Sequence, residues 1–263
     1  MERKLVNITA LGQAADGFYQ INDDLSIYEI KDDCKINIKP GIKAYILDST
    51  NNKSVYVNVG ADASLDYTIL NSNSSNRTFD LYGELLINEI LLDESNEKFT
   101  CNMLKENATV NKKLLAFADN KNQNVIERIN HEISSTFSDI SNIGISMNGA
   151  NINFDITGYI KQGMPKSNCR QLSKGVVMDD ESSVTAKPIL LIDEYDCFAS
   201  HGASIGKMSD EDLFYLMSRG LTEAEATEMI VMGFIEPFSK ELPMEYAVEL
   251  NRLIKLEMTD AQG

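Results

Sequence analysis

Over its first three quarters the chain alternates apolar and polar residues in short runs, broken by clusters of Asn, Asp, Ser and Gly. Val55, Val57 and Val59 fall on one side of such a run, because successive side chains of an extended strand point to opposite faces. The alternation, with its β-branched and aromatic residues, predicts strands within Leu65–Leu70, Thr78–Leu92, Lys98–Leu104, Lys113–Ala118, Val125–Ile133 and Ile143–Tyr159. Turn-rich stretches at 71–76 and 119–124 separate them, and strand-like sequence extends to about Asp196. Such spacing suits a sandwich or a stacked β-solenoid, and no strict repeat decides between them. Asn142, Asn148, Asn151 and Asn153 fit the side-chain stacking of successive solenoid coils.

Beyond His201 the apolar period changes from two to about 3.6. Ser209 with Asp212 marks a helix start, Leu213, Phe214, Leu216 and Met217 form its stripe, and Gly220 its left-handed stop. Thr222 with Glu225 opens a second helix, with Ala226, Met229, Ile230 and Phe234 as its stripe and Pro237 as its end. A third runs from Pro243 to about Met258, with Tyr246, Ala247, Leu250, Leu253 and Ile254 along one side. Its apolar set continues to Leu256 and Met258, which suits a helix lying in a groove of another subunit. The expected organisation is a β core over 1–206 followed by a helical region over 207–263.

Charge and chemistry then narrow the partners. A formal net charge of -16 repels the phosphate backbone, which argues against a nucleic-acid partner. Met1–Ala10 lacks the apolar stretch of an export signal and no segment approaches membrane-spanning length, so the expected location is the cytoplasm, without a membrane partner. Cys34, Cys101, Cys169 and Cys197 are too scattered for a Cys-x-x-Cys site, which removes structural zinc and a thioredoxin-like motif, and the first three read as free thiols. Only His131 and His201 are present, without a surrounding ligand cluster. The phosphate-binding loop G-x-x-x-x-G-K-[ST] is missing, so the chain is expected to bind no nucleotide. Asp179, Asp180, Glu181, Asp193, Glu194 and Asp196 would suit a β-helix polysaccharide lyase or hydrolase. No tryptophan or other sugar platform accompanies them, and an enzyme is not expected.

One segment carries a specific pattern. Ser200-His201-Gly202-Ala203-Ser204-Ile205-Gly206 is followed by the acidic stretch and Leu-Phe-Tyr-Leu of Asp210–Leu216, then by Ser218-Arg219-Gly220-Leu221. Several uncommon features in fixed order resemble the carboxyl-terminal signature of SufD-type proteins, in the SufB/SufD family of iron-sulfur cluster assembly scaffolds. Ser167-Asn168-Cys169-Arg170 and Ser173-Lys174-Gly175 fit the family more loosely, and similarity is strong over about Met164–Phe234.

The resemblance implies a mainly β protein, a right-handed parallel β-helix core with a small helical region, and so favours the solenoid. It also implies a non-ATPase scaffold beside a separate SufC-like ABC ATPase, with iron or a transient iron-sulfur cluster as cargo. His201 matches the SufD-type histidine implicated in cluster assembly, and neutral imidazole can ligate iron. The family thiol two residues earlier is replaced by Ala199; Cys197, of the same strand parity, is the substitute candidate. The SufB-branch cysteine aligns near Gly175, and its glutamate beside the histidine corresponds to Gly202, so a sulfur-accepting SufB role is not expected.

Strand-like sequence begins almost at Met1, where many relatives have a helical region. The chain therefore reads as a minimal core that forms a homodimer or a heterodimer with a SufB-like scaffold. Phe214, Tyr215, Met217 and Arg219, with Leu250, Leu253 and Ile254 of the last helix, are the candidate ATPase-docking residues. Removing 237–263 should then release the ATPase and leave the rest folded. The alternative is a purely structural module of the same complex, without cluster ligation.

Overall fold

In the computed structural model, residues 3–70, 74–240 and 244–260 are described, apart from the side chains of 237, 244–246, 249, 257, 259 and 260. Pro243, the Tyr246 side chain and part of the turn at 71–76 therefore lie outside the described residues. Among the described residues the chain forms seventeen strands and three α-helices. One sheet contains β1 (Lys4–Asn7), β3 (Ser26–Ile30), β5 (Lys43–Asp48), β7 (Ser64–Leu70), β9 (Glu84–Leu91), β11 (Thr109–Asp119), β13 (Phe137–Met147), β15 (Asn168–Val177) and β17 (Phe198–Lys207). The other contains β2 (Tyr19–Ile21), β4 (Cys34–Ile38), β6 (Ser54–Val59), β8 (Asn76–Leu81), β10 (Ser95–Met103), β12 (Asn122–His131), β14 (Asn151–Ile160) and β16 (Ser183–Ile192).

Within each sheet the strands run parallel, and each pairs with the strand two places away in the chain. The chain thus visits the two sheets in turn and stacks as a parallel β-helix. Coil length drifts along the stack: the early coil that sets Ile27 beside Tyr45 is much shorter than the late one that sets Phe137 beside Asn168. That drift hides the repeat from any fixed-period reading of the sequence.

Corners form where the backbone demands them. The predicted run Thr78–Leu92 divides at Gly83, where a Cβ would collide with the Ala63 carbonyl of the coil below. The run Ile143–Tyr159 divides at Asn148-Gly149, with φ of 56° and 80°. Strand-like sequence also continues past Asp196, because β17 adds a last strand before the helices.

Inward positions build the main core, with Val55, Val57 and Val59 almost wholly buried in one continuous cluster that also holds Phe79, Leu65 and Ile129. Outward positions carry side-chain ladders between coils. Asn153 donates to Asn124 at 3.0 Å, and Asn124 donates to Asn96 at 3.0 Å. Asn151 stacks likewise on Asn122, whereas Asn148 holds a corner through Asp119 and Asn142 points inward to Glu127.

A second core lies outside the first sheet. Leu115, Phe117, Ile145 and Val176 of β11, β13 and β15 meet Val231, Ile235 and Phe238 of α2 (Glu223–Ser239) and Leu250, Ile254 and Met258 of α3 (Met244–Asp260). Full burial of such a side chain contributes roughly 1.5–3 kcal/mol, which holds both helices against their own sheet. The face of α2 differs from the predicted stripe: Met229 and Phe234 point to solvent, while Ala226, Val231 and Ile235 are buried. The helix is apolar on several sides, so the sheet selects the face.

Helix starts follow the sequence. Ser209 Oγ caps α1 (Asp210–Ser218) by accepting the Asp212 N–H, and Thr222 and Glu225 form a reciprocal capping box on α2. The end of α2 does not follow it: the helix passes through Pro237 to Ser239. The proline withholds only the N–H that would reach the Gly233 carbonyl, and the last turn closes through Lys240 N–H to the Glu236 carbonyl at 3.0 Å. Among the described residues no helix is long and apolar enough to cross a membrane.

Candidate functional site

The β-helix ends on β16 and β17, and among the described residues no further coil covers them. β17 pairs on one side only, with β15, so its other edge presents unpaired backbone groups. Its register sets Ala199 over Cys169, His201 over Gln171 and Ala203 over Ser173. The lower member of each pair faces the interior and is buried. His201 shares that parity yet is exposed, because nothing is stacked above it. Elsewhere on β16, β17 and the bend between them, Leu191, Phe198 and Ile205 are exposed, and Tyr195 is fully exposed.

Cys197 is not brought to the same place as His201. It sits in the bend before β17, and its Sγ–H donates to the Glu194 carbonyl at 3.2 Å. Burial, with the charges of Glu194 and Asp196, raises its thiol pKa and disfavours the thiolate that a metal would need. Cys197 and Ala199 line a recess of 640 Å³ together with Gln162, Asp193 and Tyr195, and His201 is not part of its lining.

The acidic run is engaged in turns and pairs. Glu194 accepts backbone N–H groups from Asp196, Gly163 and Tyr195, which lower its pKa. For Asp179, burial pushes the pKa up, but bonds from Ser182, Asn148 and Glu181 outweigh it and the net shift is downward. Asp180 pairs with Lys207, and Asp193 accepts the Tyr159 hydroxyl at 3.2 Å. Among the described residues no three His, Cys, Asp or Glu side chains gather as a metal site.

The interior holds charged and polar residues that the apolar pattern of the sequence does not single out. Arg77 pairs with Asp48 at 2.5 Å and with Glu97, while Lys112 lies 2.5 Å from Glu89 and 2.6 Å from Glu127. Burial and Glu89 push the Glu97 carboxyl up to about 7, against the pull of Arg77. Nearer the open end, His131 is sealed between Thr136 Oγ1 at 2.7 Å and Ser138 Oγ at 3.0 Å, and burial lowers its pKa to about 4. Ser138 is also the register partner of Cys169, whose thiol pKa burial pushes up. Strand parity is the signal that could have found them: Glu97 alternates in phase with Phe99, Cys101 and Met103, so it faces inward with them.

At Gly175, which stands where the resemblance puts the SufB-branch cysteine, a Cβ would stand 2.8 Å from Val184 Cγ1. The inward thiol of this strand is Cys169 instead. Cys34, Cys101 and Cys169 are all free and buried.

The docking candidates divide. Phe214, Tyr215 and Met217 are exposed on α1, which buries no residue of its own, and the Arg219 guanidinium lies 5.1 Å from the Tyr215 ring centre. Leu250 and Ile254 are corrected to core residues, 1% and 0% exposed in the second core, with Leu253 half-buried against it. Removing 237–263 would strip that core, so the remaining chain is not an intact fold.

Residues 88–234 match the family model described as "SUF system FeS cluster assembly, SufBD core domain". That stretch contains the last coils, α1 and most of α2. A Staphylococcus epidermidis protein named "Iron-sulfur cluster assembly SufBD family protein" is 42% identical over 166 residues, which is 62% of this chain and 35% of that protein. Similarly named proteins of Staphylococcus haemolyticus and Staphylococcus aureus match to the same extent. The matched region spans about a third, 35%, of the length of these curated relatives.

Proposed function

The chain belongs to the SufB/SufD family of iron-sulfur cluster assembly proteins, and we propose that it acts there as a non-ATPase scaffold working with a SufC-like ABC ATPase. The observation that carries this reading is the uncovered last coil, with His201 exposed in mid-strand beside a free sheet edge. One imidazole cannot hold iron or a cluster by itself, so the remaining ligands come from a second subunit or from the cargo. An unpaired strand edge is where another chain adds its own strand through main-chain hydrogen bonds. A second copy related by two-fold symmetry, or a SufB-like scaffold, meets that requirement.

Phe214, Tyr215, Met217 and Arg219 on α1 form the ATPase-docking face in this reading. Nucleotide-driven motion of the ATPase is passed through the helices packed on the first sheet to the subunit contact at β17. The working location is the cytoplasm, and the chain carries no nucleotide of its own.

A second reading is a structural module without cluster ligation. It is favoured by Cys197, whose thiol is turned to a carbonyl and lies apart from His201. Anaerobic reconstitution with iron and sulfide, followed by absorption and Mössbauer spectra, separates the two. The scaffold reading expects a cluster signal that His201→Ala abolishes. A signal unchanged in that variant, or none in the wild type, supports the structural module.

A further inference from the structure

One coil below His201, its register partner Gln171 is 2% exposed, and the Gln171 Oε1 is buried without a hydrogen-bond partner. Buried amide oxygens are almost always bonded, so an unused one calls for a donor. The other arm of the amide is fixed. Nε2 lies 3.4 Å from the Ile189 carbonyl across the interior, and only the nitrogen can donate to a carbonyl. It has room there because position 158 is glycine, where a Cβ would stand 2.9 Å from Nε2. The oxygen is therefore the arm left free.

Few donors lie within reach of it. Ile140, the register partner on the coil below, has none, and neither has Leu190, which shares the space around Gly158. Ser173 has an acceptor of its own beneath it, the unpartnered Oδ1 of its register partner Asn142. His201 remains, stacked directly above Gln171 and on the same inward parity. Such a step is a hydrogen-bonding step elsewhere in this fold. The register partners Asn153 and Asn124 meet at 3.0 Å, and Asn130 and Asn102 at 2.8 Å. The inward neighbours of His201 on β17, Ala199 and Ala203, are small and leave the ring space to turn down.

We propose that Gln171 is the positioning residue of His201: with the ring turned down over it, Oε1 accepts one imidazole N–H and the other nitrogen stands bare and outward. The use of that nitrogen for iron or a cluster rests on the scaffold reading, whereas the contact and the tautomer it selects do not.

The contact answers a specific difficulty. A neutral imidazole on an open surface exchanges its hydrogen between two nitrogens and turns freely, while a metal needs one lone pair held in one direction. An acceptor beneath the ring decides which nitrogen keeps the hydrogen and makes the bare one a better donor. Outer partners of this kind are worth about 10–100-fold in metal affinity. His131 shows the same device in closed form, with both ring nitrogens engaged by Thr136 and Ser138. At His201 only the inward side has a partner to offer, so the outward nitrogen stays available.

The test is made clean by the presence of only two histidines. Imidazole nitrogen spectra of the full chain, labelled with ¹⁵N at histidine, are recorded at about pH 8, above the usual histidine range, beside free histidine in the same buffer. Wild-type His201 should depart clearly from the tautomer ratio of free histidine. Gln171→Leu removes the acceptor at similar volume and should bring His201 to that ratio, while the His131 signals stay in place. Gln171→Glu keeps an oxygen at the position and should keep the bias. In reconstitution with iron and sulfide, Gln171→Leu should raise the iron concentration at half-maximal cluster signal about 10–100-fold.

A free-histidine ratio in the wild type, or a biased ratio that survives Gln171→Leu, would overturn the positioning. If the variants do not fold, the wild-type ratio and the Overhauser contacts between the His201 ring and the Gln171 amide decide alone, and the lack of either overturns it. A bias lost in Gln171→Leu with no change in iron requirement would overturn the part played in ligation. The nitrogen spectra need no iron, so a biased tautomer in a chain that builds no cluster would defeat the scaffold reading and leave the contact standing.

Discussion

Arg77 and Asp48, on opposite sheets, meet across the sealed interior with Nε 2.5 Å from Oδ2. Asp48 also accepts the Tyr67 hydroxyl at 2.6 Å, and Arg77 continues to Glu97. The guanidinium therefore ties β5, β8 and β10 together where water cannot reach. Removing one member of a buried pair leaves the others uncompensated, typically at about 3–5 kcal/mol. Arg77→Ala should lower unfolding stability by about that much or more in urea titrations. A loss below about 1 kcal/mol would mean that the interior rearranges or admits water.

Two buried groups titrate in opposition. Glu97 is raised from 4.5 to about 7, so the folded protein holds its proton more tightly than the unfolded chain does. Its stabilising contribution is complete below about pH 4.5 and disappears as pH rises through 7. His131 is lowered from 6.5 to about 4, so its contribution is complete above pH 6.5 and disappears as pH falls through 4. Each amounts to about 3 kcal/mol at the limit, and between about pH 4.5 and 6.5 their slopes nearly cancel. Relative to wild type, Glu97→Gln should therefore lose stability on acidification from about pH 6.5 to 4. His131→Gln should gain it on acidification from about pH 7 to 4.5. Denaturant midpoints across that range check both signs, and identical profiles in all three proteins would contradict the opposition.

Gly158 should not tolerate a methyl group. Its ideal Cβ position is already occupied by Cys169 Sγ and the Gln171 amide, and overpacking of this kind costs about 1–3 kcal/mol. Gly158→Ala should show that loss in the wild-type background and recover much of it when combined with Cys169→Ala. The coupling in a double-mutant cycle measures the contact directly, and additive effects would place the sulfur elsewhere.

Much of the local structure was written in short-range signals. Ser209 with Asp212, Thr222 with Glu225 and Gly220 with φ of 101° act within one helical turn, so neighbours in sequence suffice to reveal them. Val55, Val57 and Val59 likewise declare their own face. The coil stack was less legible, since the step from Ile27 to Tyr45 has lengthened greatly by the step from Phe137 to Asn168, and no fixed period survives. The interior charges were hidden for a different reason. Lys112 reads as a surface lysine until Glu89 and Glu127, which belong to the strands β9 and β12, are set against it. His201 carried a recognisable motif, but its exposure follows only from the missing coil above it.

Docking and folding should separate cleanly in the helical region. Phe214 is 74% exposed on a helix that buries nothing, so Phe214→Ala combined with Tyr215→Ala removes surface from solvent contact and little from the fold. Their thermal midpoint should stay within a few degrees of wild type, while copurification with a SufC-like ATPase is lost. Leu250→Ala does the reverse, because a leucine 1% exposed among Phe117, Ile145 and Val231 leaves a cavity costing about 2–5 kcal/mol. At a temperature where that variant remains folded, it should still bind the ATPase through α1. Retained binding by the Phe214 and Tyr215 double variant would move the docking face away from α1, to the α2 side chains Met229 and Phe234 that the sheet leaves exposed.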